Sequence, residues 1–92
     1  MNDNTTYEWD EAKRQSNLDN HSQDFADVRL LNWSVATFET QLISGEERIL
    51  AYAPMNKRLH AVVYTLRDDA LRIISFRKAN KREVLKYVQN KK

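Results

Sequence analysis

Arg72, Arg77, Lys78, Lys81 and Arg82 fall within twelve consecutive residues that end at Glu83. A short strand runs into a basic helix start there, and five cations crowd one junction. Such a cluster costs self-repulsion unless an anion or a partner offsets it, which points to phosphate or to an acidic partner. Arg48 and Arg67 add two further guanidinium groups at predicted strand ends. One chemistry that this set could perform is RNA cleavage, in which the ribose 2′-hydroxyl attacks the adjacent phosphorus. Arg48, Arg67, Arg77 and Lys78 suit neutralisation of the phosphate and of the developing charge. His21, Glu83 and Tyr64 are candidates to move protons. Each also has a structural reading: Glu83 as a helix-capping residue, Tyr64 as a core residue with its hydroxyl at the rim, His21 as the closure of a helix end.

The charge is unevenly placed. The 92 residues carry a net +2, but residues 1–30 hold seven acids against three bases. Residues 72–92 hold eight Lys or Arg against the single Glu83, a net of +7. This asymmetry favours a polyanionic partner for the C-terminal part, with a solvated basic helix as the plain alternative. There is no cysteine, so disulfides and thiolate metal sites are excluded. His21 and His60 alone are poor material for a metal site of three or four ligands. The one glycine, Gly45, rules out a Gly-rich phosphate loop. No cofactor is expected. No apolar run approaches the roughly 20 residues that span a bilayer. The first residues have neither the basic nor the apolar region of a secretory signal, so the cytosol is the expected location and no membrane is involved.

These residues need elements to position them. Asp10 can cap a helix running to about Asn20, and Asp24 a second one with Phe25, Val28 and Leu31 on its buried face. Strands follow at Thr37–Ile43, Arg48–Ala53, Leu59–Leu66 and Leu71–Lys78, separated by turn signals at Ser44-Gly45, Pro54–Lys57 and Arg67–Asp69. Asn80 and Glu83 form a capping box for a last helix, with Val84, Tyr87 and Val88 as its buried stripe. The expected class is α+β: two N-terminal helices, a four-stranded antiparallel meander and a C-terminal helix, in the order α-α-β-β-β-β-α. One domain is expected over 1–92, with 1–6 disordered.

Side-chain alternation constrains the site. Along the fourth strand Arg72 and Arg77 fall on opposite faces unless a bulge intervenes. In a meander Arg48, Arg67 and Arg72 collect near one sheet end, and Arg77, Lys78 and the last helix near the other. In the first helix Trp9, Lys13, Asn17 and His21 recur every four residues, a stripe that either lines a site or hydrogen-bonds loop backbone.

Two segments carry a family resemblance. Tyr7-Glu8-Trp9-Asp10, Lys13, Asn17 and Asn20-His21-Ser22-Gln23-Asp24-Phe25 resemble the opening of the BrnT toxins, an F-E-W-D-xx-K pattern, then an asparagine, then K-H-G-V-x-F. Gly45-Glu46-Glu47-Arg48 and Arg72–Glu83 look like that family's G-E-E-R and R-I-I-S-x-R-x-A-xx-x-E. The resemblance implies a type II toxin–antitoxin toxin with a fold related to the RelE toxins, a small ribonuclease that blocks translation. It implies a BrnA-like ribbon-helix-helix antitoxin that dimerises, giving a heterotetramer, and that carries the complex to operator DNA. Carried over by position, the motifs mark Arg48, Arg72, Arg77 and Glu83, with Lys13 and His21 from the opening. Arg48, Arg67, Arg72, Arg77, Glu83 and His21 are the expected catalytic set, and Lys13, Lys78, Lys81 and Arg82 the expected RNA-binding set. The chain departs from the family at Ser22, which replaces a glycine and implies a differently made turn, at Ala53-Pro54, and in a glycine-free turn before the third strand. Two other readings stand beside this one: a non-catalytic toxin-like partner that only binds an antitoxin and aids operator repression, and a stand-alone nucleic-acid-binding module.

Overall fold

The computed structural model describes residues 5–90. Five strands are present: β1 (Thr6–Trp9), β2 (Thr37–Ile43), β3 (Glu46–Met55), β4 (Arg58–Arg67) and β5 (Ala70–Lys78). They form one sheet in the order β1-β5-β4-β3-β2. Two helices, α1 (Glu11–His21) and α2 (Lys81–Asn90), and two 3₁₀ segments, Phe25–Leu30 and Trp33–Val35, are the other elements among the described residues.

The α+β class holds, but the expected element order is overturned at two places. The sheet is five-stranded and mixed, because Thr6–Trp9 pairs in parallel with β5, from Thr6 opposite Ala70 to Trp9 opposite Ile73. Four residues are too few to display a period, and their partner lies at the other end of the chain. Of the stretch 1–6 expected to be disordered, residues 1–4 lie outside the described residues and Thr6 opens β1. The second expected helix is instead the 3₁₀ segment Phe25–Leu30. Phe25, Val28 and Leu31 recur every three residues, which is the 3₁₀ repeat, and all three are buried. Its cap is the expected one: the Asp24 carboxylate accepts from the Ala26 N–H at 2.9 Å.

The strands from β2 onward lie close to where the turn signals put them, except that β3 runs on through Pro54 and Met55, which pair with Leu59 and Arg58. Each hairpin has a two-residue loop, Ser44-Gly45, Asn56-Lys57 or Asp68-Asp69, and both central residues have positive φ in every case. That is the type I′ geometry, whose twist matches the strands it joins. Only Gly45 enters it without steric cost. Ser22 is a related case. It closes α1 in the left-handed region at φ 56°, donating to Leu18 O, so the turn keeps the form that glycine would give it, without the glycine.

Both faces of the sheet are covered. On one, Phe25, Val28 and Leu31 pack on Ala51, Val62, Ile73 and Phe76. On the other, Val84 and Tyr87 of α2 lie over Leu50, Tyr52, Leu59 and Ala61. Val88, expected in that stripe, is 48% exposed beside an exposed Leu85. The helix meets the sheet along Val84 and Tyr87, and a step of four from Val84 drifts off that line. Its far end is tied down by the Tyr87 hydroxyl, which donates to Val35 O at 2.7 Å, and by the Lys86–Glu39 ion pair.

Two local devices shape the site. Between β4 and β5 the register shifts: Val63 faces Ser75, but Tyr64 faces Ile73, so Ile74 is an extra residue. This β-bulge flips the alternation and brings Arg72 to the face that carries Arg77. Beyond Trp9 no strand among the described residues covers the outer edge of β5, and Asn17 takes its place. Its Oδ1 accepts from Phe76 N–H at 3.1 Å, and its Nδ2 donates to Phe76 O at 2.7 Å and to Gln23 O at 2.9 Å. A buried amide side chain here does what a strand backbone would do.

Candidate active site

The α2 face of the sheet has a closed end and an open end. At the closed end, Arg77 on β5 lies in register with Ala61, and Ala61 with Tyr52. The Arg77 guanidinium donates twice to Glu83, at 2.7 and 2.8 Å. Glu83 also accepts from the Tyr52 hydroxyl at 2.8 Å and from Asn80 N–H at 2.9 Å, and Asn80 Oδ1 accepts from Glu83 N–H in return. The capping box is therefore extended into the sheet. The Arg77 hydrogen bonds, followed by those of Asn80 and Tyr52, hold the Glu83 carboxyl at a pKa of about 2 against the opposing effect of burial. Burial, then the Glu83 hydrogen bond, pushes the Tyr52 hydroxyl up to about 12, so it stays a donor. Every strong acceptor direction of Glu83 is used, which makes it a positioning group in this arrangement.

At the open end, α2 does not cover the sheet. Arg72 faces Thr65 on one side and Glu8 on the other. Arg48 precedes Ile49, the partner of Tyr64, and so stands level with Thr65. Arg67 ends β4 on the same face and is exposed. The ion pairs here are long: Arg72 to Glu8 at 3.5 Å and Arg48 to Glu46 at 3.5 Å. Arg48 Nε and Glu8 Oε1 are both shielded from solvent and form no hydrogen bond among the described residues. Arg48 and Arg72 keep side-chain exposures of 30% and 31%, open enough to be reached. Under-satisfied donors grouped on one surface are what an incoming phosphate would complete.

The other expected residues lie elsewhere. His21 and Lys13 line an open depression of about 140 Å³ with Asn17 and Ile74, beside α1. The structural reading of the helical stripe holds for Asn17. Lys78 faces the opposite side of the sheet from Arg77, in register with His60. Lys81 and Arg82 are exposed on the first turn of α2. Tyr64 is 2% exposed, a core residue as its structural reading had it. Two groups were missed as site residues. Glu8 sits inside the quoted opening motif, but its strand was not recognised. Tyr52 lies in an apolar strand, and nothing local marks its hydroxyl.

The family described as "Ribonuclease toxin, BrnT, of type II toxin-antitoxin system" matches residues 9–83. The chain belongs to the BrnT toxin family. A solved structure, the 1.1 Å crystal structure of the Brucella abortus ribonuclease toxin BrnT, is similar at a TM-score of 0.65 and 28% identity, over 84% of this chain and 99% of that one. A search of curated proteins finds no significant relative. Membership in the BrnT family implies an antitoxin partner and supports ribonuclease activity at the level of the family. The matched stretch contains Arg48, Arg67, Arg72, Arg77 and Glu83, so both ends of the α2 face fall inside it. No helix among the described residues is long and apolar enough to cross a membrane.

Proposed function

We propose that this chain is a metal-independent endoribonuclease toxin whose reaction surface is the open end of the α2 face. The observation that carries the reading is the gathering of Arg48, Arg67 and Arg72 there, with long ion pairs and an unsatisfied Arg48 Nε. In this scheme the scissile phosphate sits on Arg48 and Arg72, and Arg67 reaches a neighbouring phosphate. Glu8, whose side chain lies beside Arg72 and keeps an exposure of 37%, takes the proton of the attacking 2′-hydroxyl. The bond from O2′ to phosphorus forms, the bond from phosphorus to O5′ breaks, and the leaving oxygen takes a proton from water at this exposed surface. Arg77, held by Glu83, sets the electrostatics of the neighbouring row. Lys13, Lys78, Lys81 and Arg82 contact the strand outside the reaction centre, and His21 stands beside Lys13 on the α1 side. Among the described residues no group of three or more His, Asp or Glu is placed to hold a metal ion.

The partner in this reading is a BrnA-like ribbon-helix-helix antitoxin, forming a heterotetramer through its own dimerisation and meeting operator DNA on behalf of the complex. The target is cytoplasmic RNA, and the outcome is inhibited translation. The test is direct. Purified protein should cleave RNA in EDTA, and Arg72→Ala should lower the rate by about 10²-fold. Activity that vanishes in EDTA and returns with Mg²⁺ would overturn the mechanism.

A further inference from the structure

A second polar cavity lies on the opposite face of the sheet, where the turn between β3 and β4 meets the segment Phe25–Leu30. It holds about 410 Å³ and is lined by Gln23, Asp27, Asn56, Arg58, His60 and Lys78. Small-molecule sites occupy roughly 300–1,000 Å³, so the cavity takes a nucleotide-sized group. None of the reaction-surface arginines Arg48, Arg67 and Arg72 lines it.

His60 is the informative residue. It is 3% exposed, with its ring against Phe76 at 5.5 Å between centroids. Its Nδ1 lies 2.9 Å from the carbonyl oxygen of Arg58. A carbonyl only accepts, so Nδ1 carries the proton. In the neutral ring Nε2 is then a bare acceptor. Among the described residues Nε2 has no hydrogen-bond partner, and His60 is one of the residues that line the cavity. Burial, then the charges of Lys78 and Arg58, lowers the ring's basicity against the opposing hydrogen bond to the Arg58 carbonyl. The anchored and desolvated imidazole asks for a hydroxyl or N–H donor. Next to it, Lys78 is its register partner on β5, and Arg58 lies two residues earlier on β4. Arg58 Nη2 donates to Ala79 O at 3.4 Å, and its remaining donors together with Lys78 ask for an anion. Asp27, the one acid in the lining, repels a bare dianion and accepts the N–H groups of a base.

We propose that this cavity binds a ribonucleotide unit of an RNA strand, with the phosphate on Arg58 and Lys78 and the adjacent ribose 2′-hydroxyl donating to His60 Nε2. A vicinal hydroxyl and phosphate is the pair that a bare imidazole nitrogen beside two cations recognises, and a DNA strand lacks it. The site rests on the ribonuclease reading for the source of its ligand, and it gives that enzyme a place to hold strand away from the bond being cut.

The test uses ¹⁵N-histidine-labelled protein and reads His60 Nε2 by NMR. Cytidine 3′-monophosphate, which has no leaving group and cannot be cleaved, should shift the Nε2 resonance. Its 2′-deoxy analogue should bind about tenfold more weakly through loss of one buried hydrogen bond. Arg58 and Lys78 are exposed, so the Arg58→Ala, Lys78→Ala protein should fold and should lose most of the shift. A single-stranded RNA octamer should shift Nε2 as well, and its DNA counterpart should not. The proposal is overturned if the ribonucleotide leaves Nε2 unmoved, if inorganic phosphate binds as tightly, or if the double variant behaves as wild type. It is also overturned if a glutamate-rich peptide shifts Nε2 and nucleotides do not, or if the mononucleotide enters but the octamer is excluded. Cleavage without nucleotide at His60 removes this site and leaves the ribonuclease reading intact. Nucleotide at His60 without cleavage does the reverse.

Discussion

At one end of the α2 face an arginine is saturated, and at the other end of the same face arginines are not. Arg77 has a carboxylate to itself, at 2.7 Å, and that carboxylate is fixed by a tyrosine and a helix cap. Arg72 and Arg48 have carboxylates at 3.5 Å, with donor and acceptor atoms left over. The same residue type in the same sheet thus serves as a latch in one row and as an open cation in the other. What separates them is α2, whose first turn delivers Glu83 to Arg77 and whose path stops short of Arg72. A guanidinium is informative about function only when its satisfaction is known.

That contrast can be broken from several directions. The largest effect is expected from Asn17→Leu, which leaves the Phe76 N–H and carbonyl oxygen unpaired inside the fold. Each orphaned group costs about 1–3 kcal/mol, so a chemical melt should lose of the order of 3 kcal/mol. Cleavage should fall beyond that loss, because the strand that presents Arg72 is no longer held next to α1. Arg72→Ala and Arg77→Ala sharpen the comparison. Arg72→Ala should cost activity with a nearly unchanged melt, as surface substitutions stay within about 0.5 kcal/mol. Arg77→Ala should cost about 2 kcal/mol, the scale of hydrogen bonds to a charged group, and lower Tm by roughly 10 °C. If the two variants melt alike, the distinction between latch and open cation fails.

A pH series isolates the latch. The Glu83 pKa is lowered in the fold, so its contribution is present above the range where a free glutamate titrates, near 4.5, and is lost as pH falls towards about 2. The Tm difference between wild type and Glu83→Gln should be full at pH 6 and should vanish near pH 2. A difference that persists at pH 2 would show that the carboxylate charge is not what holds Arg77. The smallest effect on stability is expected from Lys81→Glu with Arg82→Glu, on the exposed first turn of α2. Its melt should not change, while binding of both RNA and antitoxin weakens, most at low salt, because surface charge steers encounter. Normal antitoxin binding with lost RNA binding would place the antitoxin elsewhere.

The strands β2 to β5, the caps of both helices and the gathering of Arg48, Arg67 and Arg72 at one sheet end were legible because each is written locally, in alternation, turn residues and short connections. The bulge was legible only as a condition: alternation said that Arg72 and Arg77 could share a face if one residue were extra, and nothing in Ile73-Ile74-Ser75 says which. β1 was not legible, since four residues pairing in parallel with a distant strand leave no local trace. With it went Glu8 as a neighbour of Arg72. The 3₁₀ segment was misread as an α-helix although its spacing of three was in plain view, because a cap and a buried face are common to both. Tyr52 and the free Nε2 of His60 depend on where a hydroxyl or a ring nitrogen points, which pattern does not encode.

The parallel pairing of Thr6 with Ala70 has a consequence in time. Glu8 and Arg72 are neighbours in space but belong to the first and last strands, so the surface they form does not exist while the chain is emerging from the ribosome. It closes only after β5 has been made and has found β1 across almost the whole length of the protein, and such distant pairings form slowly. If this surface carries the proposed cleavage, activity waits on the pairing of the last strand with the first.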